Sequence, residues 1–292
     1  MTRSFLFVPA DSERKLAKAG NIEADALILD LEDSVQADRR PMARQLAAEF
    51  LAEKKSIDIW VRINPLNSTD ALEDLRRLVK AKPFGIVLPK PDGVRDVNQL
   101  SMLIDVLETE SDLEPGRIAI LPIATERPGA LFQLHEYAGA TPRLGGITWG
   151  AEDLSAAVGA ATNRDTDGSW LPPYELARSL TLFAAANAGV APIDTVFTDF
   201  RDLDGLAAYA SNARRDGFSG MLAIHPDQVA VINAAFSPTD VEIERANKIV
   251  ALFAANPEAG ALELDGGMID RPHLLQAERT IELAEKNSET DR

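Results

Sequence analysis

Short apolar segments alternate with longer amphipathic segments along most of the chain. The apolar segments lie near residues 4–9, 26–31, 57–63, 85–90, 118–125, 144–150, 191–197 and 220–225. Helix-like patterns follow them near residues 12–20, 41–54, 69–81, 94–110, 129–138, 173–188, 203–216 and 227–235. Strands that alternate with helices indicate repeated βα units and a parallel sheet. Eight such units favour a closed TIM (β/α)8 barrel over an open sheet of eight strands.

The chain continues beyond the eighth unit. The segment Ser237-Pro238-Thr239-Asp240 predicts the start of a helix over residues 237–255, and a last helix is predicted over 272–286. We therefore predict a barrel domain over residues 1–236 and a C-terminal helical extension over residues 237–292.

Composition narrows the chemistry that the chain can perform. It has no cysteine and three histidines, which excludes thiolate chemistry and argues against a histidine-rich metal site. The net charge of −16 argues against a nucleic-acid surface. Apolar stretches stay shorter than the roughly 18 residues that span a bilayer. The N-terminal segment is predicted to be a strand rather than a secretory signal, so we expect a cytoplasmic protein without a membrane or nucleic-acid partner.

Carboxylates follow three of the predicted strands. Asp30, Glu32 and Asp33 follow the second strand, Glu126 the fifth and Asp153 the sixth. The C-terminal ends of barrel strands carry the chemistry of TIM-barrel enzymes, and Mg²⁺ usually takes one or two protein carboxylates. We predict Glu126 and Asp153 as Mg²⁺ ligands. Each is also typical of a helix N-cap, but their position on consecutive strands favours the metal.

The acids of the second strand need a positive partner, because neighbouring like charges raise one another's pKa values. They can orient an arginine, reach a metal through water, or cap the second helix. We predict that Glu32 and Asp33 position the substrate.

Two cations are predicted at the same end of the barrel. Arg62 ends the third strand, where a buried arginine needs an anionic partner and its planar group suits a carboxylate or developing oxyanion. A structural pair with Glu32 or Asp33 is compatible with that role. Lys90 ends the fourth strand and is predicted to balance the acids near the substrate; a Schiff-base lysine is the alternative.

His225 follows the eighth strand and Asp194 ends the seventh, so both are expected on the same rim. We predict that His225 contacts the substrate. A catalytic base and a structural histidine are the alternatives.

Seven segments, at residues 3–10, 30–35, 61–64, 89–90, 150–154, 224–226 and 267–270, occur in a characteristic order. Together they resemble the citrate lyase β-subunit-like, or HpcH/HpaI aldolase, superfamily. Within it they are most similar to CoA-ester lyases acting on malyl-CoA and citramalyl-CoA. The resemblance extends from residue 3 to about residue 280.

The resemblance implies a Mg²⁺-dependent carbon–carbon lyase that splits a short β-hydroxyacyl-CoA ester into an acyl-CoA and a 2-oxo acid. It also implies a homo-oligomer, a trimer or hexamer. By motif, Glu126 and Asp153 match the metal ligands and Arg62 matches the arginine that engages the substrate. Asp270 matches a catalytic acid/base on the extension, which in relatives caps a neighbouring subunit's site. Relatives usually have Glu-Thr after the fifth strand, whereas Arg127 follows Glu126 in this chain.

Several functions stay open at this point. The alternatives are a citrate lyase β subunit acting on a carrier-protein thioester, a malyl-CoA thioesterase, and a class II pyruvate aldolase that uses no thioester. A barrel whose acids serve only structure is the non-enzymatic alternative. The acyl group and the 2-oxo acid are not identified by the sequence.

Overall fold

The computed structural model describes residues 2–53 and 57–290. The chain forms two compact units, residues 2–232 and the residues from 233 onward. The predicted domain boundary after residue 236, and the packing of the extension on a neighbouring subunit, stay predictions. Among the described residues, no helix is long and apolar enough to cross a membrane.

The first unit contains parallel strands that alternate with helices. The strands are β1 Ser4–Pro9, β2 Ala26–Asp30, β3 Asp58–Arg62, β4 Gly85–Leu88, β5 Ala119–Pro122, β6 Gly146–Ile147, β7 Ala191–Asp194 and β8 Gly220–Ala223. The α-helices are α1 Glu13–Ala19, α2 Arg40–Ala52, α3 Thr69–Leu78, α4 Val94–Glu110, α5 Ala151–Ala157, α6 Pro172–Ala188, α7 Leu203–Asp216 and α8 Pro226–Ala235, which ends just past the boundary between the units. Short 3-10 helices span Ala37–Arg39, Val79–Ala81 and Pro128–Tyr137.

The sheet closes into a barrel. Its strand order is β5-β4-β3-β2-β1-β8-β7-β6. Parallel bridges between Ile120 and Leu144 and between Ile123 and Thr148 then join β5 to the segment that contains β6. The prediction of a TIM (β/α)8 barrel with a C-terminal helical extension is confirmed.

Capping side chains stabilise the N-terminal ends of two of the helices. The hydroxyls of Ser12 and Ser68 accept hydrogen bonds from backbone N–H groups in the first turns of α1 and α3. Two departures from the predicted pattern occur. The predicted helix at 129–138 is a 3-10 helix, and α5 was not predicted. The last residue of the helix predicted at 41–54 lies outside the described residues.

Every second side chain of the strands points into the barrel. Ile28 and Trp60 belong to this apolar interior, together with side chains from β1, β4, β5, β7 and β8. Gly85 faces the Trp60 ring, where an added Cβ atom would lie 2.3 Å from ring carbons. Asp30 and Arg62 lie two residues beyond Ile28 and Trp60, so the same alternation brings them onto the inner face at the C-terminal end.

The second unit has its own core. It contains α9 Asp240–Ala255, the strands β9 Ala261–Leu264 and β10 Gly267–Asp270, and α10 Arg271–Thr290. The two strands form an antiparallel hairpin whose turn residues, Asp265 and Gly266, have positive φ angles of 52° and 78°, as a tight two-residue turn requires. Helices α9 and α10 pack around Ile249, Phe253 and Ile269.

Candidate active site

Asp30 and Arg62 form a buried ion pair at the C-terminal end of β2 and β3. The parallel register places the two residues directly opposite each other. Arg62 donates from Nε to Asp30 Oδ1 and from Nη2 to Oδ2, each over 2.7 Å. The backbone N–H groups of Glu32 and Ser34 also donate to Asp30. Burial alone would raise the pKa of Asp30, but the Arg62 charge and these hydrogen bonds outweigh it and lower the pKa.

Lys90 connects the remaining acids. Its ammonium Nζ lies 2.5 Å from Glu32, 3.0 Å from Asp33 and 3.3 Å from Asp153. Its backbone N–H donates to Glu126 Oε2 over 2.5 Å. Burial favours the neutral amine, yet the surrounding carboxylates outweigh burial and raise the pKa of Lys90. The lysine is therefore charged, which supports a balancing cation over a Schiff-base amine.

The backbone of Lys90 is strained to reach this position. Its φ angle is 50°, in the left-handed region that residues other than glycine rarely occupy. Such conformations cost about 1–3 kcal/mol and concentrate at functional sites. In this conformation the ammonium of Lys90 and its backbone N–H both point at the acidic cluster.

Glu126 is almost fully buried beside this cluster. Burial raises its pKa to about 8; the Lys90 N–H hydrogen bond opposes the shift and the charge on Asp153 adds to it. Gly150 gives the side chain room, since a Cβ atom there would lie 2.7 Å from Glu126 Cγ. A side chain at position 150, directly before the Ala151-Glu152-Asp153 segment, would therefore clash with Glu126, which explains the glycine.

A cavity of about 310 Å³ opens above these residues. Its polar lining includes Arg62, Glu126 and Asp153, and its apolar lining includes Phe7 and Trp149. A cavity of this size and mixed lining suits a small polar ligand.

The oxygen donors fit a hard dication, although the described residues hold no preformed group of three or more metal-ligating side chains. Mg²⁺ needs only one or two protein carboxylates, because water and substrate oxygens complete its octahedron. Glu126 and Asp153 supply two, and burial, with the charge on Asp153 adding to it, raises the pKa of Glu126. A bound dication would favour its ionised form.

His225 and Asp270 are the remaining predicted site residues. His225 is half-buried, stacks on Phe200 with ring centroids 4.9 Å apart, and accepts from the backbone N–H of Asp227. Its neighbour Ile224 lines the cavity. Asp270 lies in the second compact unit, where its carboxylate contacts His273 over 2.6 Å. The substrate role of His225 and the catalytic role of Asp270 stay predictions.

Trp149 is a cavity residue that the sequence reasoning missed. Its Nε1–H donates to Asp194 over 2.7 Å, so Asp194 holds one wall of the cavity in place. Arg178 and Tyr209 also donate to the buried Asp194 carboxylate. The position of Trp149 directly before Gly150 could have indicated this role, because an aromatic ring next to a segment at the C-terminal end of the barrel can line the ligand cavity.

Arg127, the departure from the usual family pattern, points to a different acid. It donates to Asp92 over 2.7 Å, and the Asp92 side chain is 70% exposed. This surface pair leaves Glu126 bonded to Lys90.

Comparison with known proteins identifies the family. The model of the HpcH/HpaI aldolase/citrate lyase family matches residues 3–226, and the chain belongs to this family. The predictions of the family and of an enzyme of its carbon–carbon lyase type are confirmed.

Three curated relatives resemble the chain over nearly its full length. Citrate lyase subunit beta of Leuconostoc mesenteroides subsp. cremoris is 32% identical, with 100% of this chain and 96% of that protein covered. Mitochondrial citramalyl-CoA lyase of Mus musculus is 32% identical, with 97% of this chain and 86% of that protein covered. The (3S)-malyl-CoA thioesterase of Cereibacter sphaeroides (strain KD131) is 32% identical, with 97% of this chain and 94% of that protein covered.

A solved structure agrees with these relatives. Protein CitE from Mycobacterium tuberculosis, in complex with magnesium, acetoacetate and coenzyme A, is 31% identical with a TM-score of 0.80. The similarity covers 97% of this chain and 98% of that one.

The buried ion pair makes a prediction about stability. Asp30→Asn leaves the Arg62 guanidinium buried without its bidentate partner, so we expect the free energy of unfolding to fall by about 3–5 kcal/mol. Urea denaturation measures the change. Asp92→Asn is the matched control, because its exposed pair with Arg127 should contribute only about 0–1 kcal/mol. Equal effects of the two substitutions would contradict the importance of the buried pair.

The raised pKa of Glu126 makes a prediction about pH. Without a metal, this carboxyl holds its proton up to about pH 8 in the folded protein, against a reference value of 4.5. The folded protein therefore binds more protons than the unfolded chain between these values, and its free energy of unfolding falls as pH rises through the window. The side chain introduced by Glu126→Gln stays neutral at every pH, so this part of the pH dependence is lost. The free energy of unfolding of the variant, relative to that of the parent, should therefore be higher above about pH 8 than below pH 4.5.

Urea denaturation in EDTA at about pH 5 and about pH 9 measures this difference, which we expect to be on the order of a few kcal/mol. The exposed Glu136 provides the control substitution Glu136→Gln. A Glu126→Gln effect that is the same at both pH values would show that Glu126 is already ionised in the folded protein.

Proposed function

We propose that the chain is a Mg²⁺-dependent lyase that cleaves a short β-hydroxyacyl-CoA ester, of the malyl-CoA, citramalyl-CoA or citryl-CoA type, into an acyl-CoA and a 2-oxo acid. The observation that carries the proposal is the ionised Arg62 guanidinium beside two carboxylates, Glu126 and Asp153, around one cavity. The names of the relatives and the magnesium, acetoacetate and coenzyme A of the CitE complex support the same chemistry.

Glu126 and Asp153 would hold the magnesium ion. When bound, it supplies Lewis-acid stabilisation of the charge that develops on substrate oxygens. Lys90 holds the carboxyl groups of Asp153 and Glu126 in place, the first through its ammonium and the second through its backbone N–H. Glu32 and Asp33 act through Lys90 and Arg62 to position the substrate.

Arg62 would bind the carboxylate that becomes part of the 2-oxo acid. Its Nε and Nη2 are fixed on Asp30, while Nη1 lies 3.2 Å from Glu32 Oε2 without forming a hydrogen bond to it. Nη1 makes no hydrogen bond within the described residues and is therefore available to a substrate oxygen. The fixed guanidinium stabilises negative charge without reorganising during the reaction, which is the basis of electrostatic preorganisation.

The bond changes then follow from the substrate. A base removes the proton of the β-hydroxyl, the oxygen electrons form the new carbonyl, and the carbon–carbon bonding pair passes to the thioester as an enolate. Asp270 would protonate the enolate carbon, or remove that proton in the condensing direction. We propose that it does so from the extension of a neighbouring subunit in a homo-oligomer, a trimer or hexamer, and that His225 contacts the substrate from the rim.

A thioesterase is the second candidate function, and the similarity to the (3S)-malyl-CoA thioesterase favours it. The same binding groups would serve, with water attacking the thioester and releasing free CoA.

The first experiment measures 2-oxo acid release from malyl-CoA and citramalyl-CoA, with Mg²⁺ and with EDTA. We expect glyoxylate or pyruvate only with Mg²⁺. Asp153→Asn should lower kcat/KM by about 100-fold or more, because even residues that only orient ligands commonly cost 10–100-fold. The exposed Asp38 provides the control Asp38→Asn, which should match the parent.

The other outcomes identify the alternatives. Free CoA without a 2-oxo acid would indicate the thioesterase. No turnover of either ester would favour the carrier-protein thioester or the thioester-independent aldolase. Product formation that EDTA leaves unchanged would contradict the metal assignment.

The role of Asp270 on a neighbouring subunit predicts complementation. Asp270→Asn and Arg62→Ala should each abolish activity alone, because each removes one half of the proposed composite site. After subunit exchange, hybrid oligomers should recover part of the activity, since some sites combine an intact Arg62 with an intact Asp270. Exchange confirmed by native mass spectrometry without any recovery would contradict the assignment.

A further inference from the structure

The Asp270 carboxylate has a close partner within its own unit. Asp270 ends β10 and α10 begins at Arg271, so Asp270 takes the N-cap position and His273 the third helical position. His273 Nδ1 lies 2.6 Å from Asp270 Oδ1 and 3.2 Å from the Asp270 backbone nitrogen. Both side chains remain partly exposed.

A hydrogen atom must lie between the imidazole and the carboxylate. Two unprotonated acceptors would repel each other at 2.6 Å, so either Nδ1 or Oδ1 carries a proton. The backbone N–H of Asp270 competes for the same ring nitrogen, but its contact is longer. Charge-assisted hydrogen bonds are shorter and stronger than neutral ones, which assigns the proton to Nδ1, donated to the Asp270 carboxylate.

This bond makes the two carboxylate oxygens unequal. Oδ1 accepts from His273, whereas Oδ2 has no hydrogen-bond partner within the described part of the chain. We infer that His273 is a positioning residue: it holds Asp270 so that Oδ2 is the oxygen that exchanges a proton with the substrate carbon. The inference rests on the proposed function, in which Asp270 is the acid/base.

The proton balance is simple. In cleavage, the proton released from the β-hydroxyl is passed to Asp270 Oδ2; the Oδ2–H bond then breaks and a C–H bond forms at the enolate carbon, leaving a carboxylate. The Nδ1–H of His273 then stabilises that new negative charge through Oδ1. In condensation the same carboxylate, already oriented, accepts the proton at Oδ2.

A purely structural role for His273 is separable from this one. The third helical position of a capping box is usually Glu or Gln, whose side chain accepts from the N-cap backbone N–H. His273→Glu supplies that cap but offers no proton to Asp270. His273→Gln has both an acceptor and an N–H donor, and His273→Leu has neither.

The test compares these three variants in the full-length protein with Mg²⁺ and whichever ester, malyl-CoA or citramalyl-CoA, the parent turns over. We expect His273→Glu and His273→Leu to lower kcat by about 10- to 100-fold, a part of what acid–base catalysis contributes. KM should stay within about threefold, and His273→Gln should recover most of kcat. In thermal unfolding only His273→Leu should show a lower midpoint.

Parent-like kcat in His273→Glu would overturn the inference, since the histidine would then be only a helix cap. Asp270→Asn is measured in parallel. If it retains parent kcat, both the proposed acid/base and this inference fail. If it is inactive while His273→Glu is fully active, the inference alone fails.

A measurement without turnover keeps the inference testable. The chain has three histidines, so the ring nitrogens of His273 can be assigned by ¹⁵N NMR of labelled protein with His273→Gln as reference. We expect a protonated Nδ1 at about pH 8 that loses this signature in Asp270→Ala, which removes the acceptor oxygen. An unprotonated Nδ1 in the parent would overturn the inference.

Discussion

The arrangement of the candidate site depends on the pairing of Asp30 with Arg62. An arginine on the inner face of a barrel is costly unless a partner matches its charge and geometry. The parallel register of β2 and β3 provides that partner in the opposite residue. Because two of its nitrogens donate to Asp30, the Arg62 guanidinium is held rigidly. Glu32 and Asp33 form further ion pairs with its third nitrogen. The orientation of the remaining acids toward the cavity follows from this fixed centre.

Charge in the cluster is incompletely balanced. Among the residues that the structure describes, five carboxyl groups, from Asp30, Glu32, Asp33, Glu126 and Asp153, lie around two side-chain cations, Arg62 and Lys90. Burial is the first cause of the raised pKa values of Glu126 and Glu32, and the charges of neighbouring carboxylates add to both. The proposed magnesium ion would supply the missing positive charge.

The barrel itself says little about the reaction, because the same fold supports many chemistries. What narrows the function is the site and the family. Trp149 and Phe7 form the apolar part of the cavity lining, and Asp194 fixes the Trp149 ring from behind. Contacts of this kind, rather than the acids common to every proposed reaction, are where the choice of acyl group would be made.

The sequence by itself determined the barrel, its extension and the grouping of acids and cations at the strand ends. These follow from local rules: short apolar strands that alternate with amphipathic helices, capping residues, and the shared edge at which parallel strands end. It also led to the family through ordered motifs. Only the tertiary structure decided which acid pairs with which cation, because strand register and burial set those contacts. In the structure Asp30 pairs with Arg62, Lys90 has a left-handed backbone, Asp194 accepts from Trp149, and His273 contacts Asp270. Each of these features depends on distances between atoms that the spacing of residues along the chain does not specify.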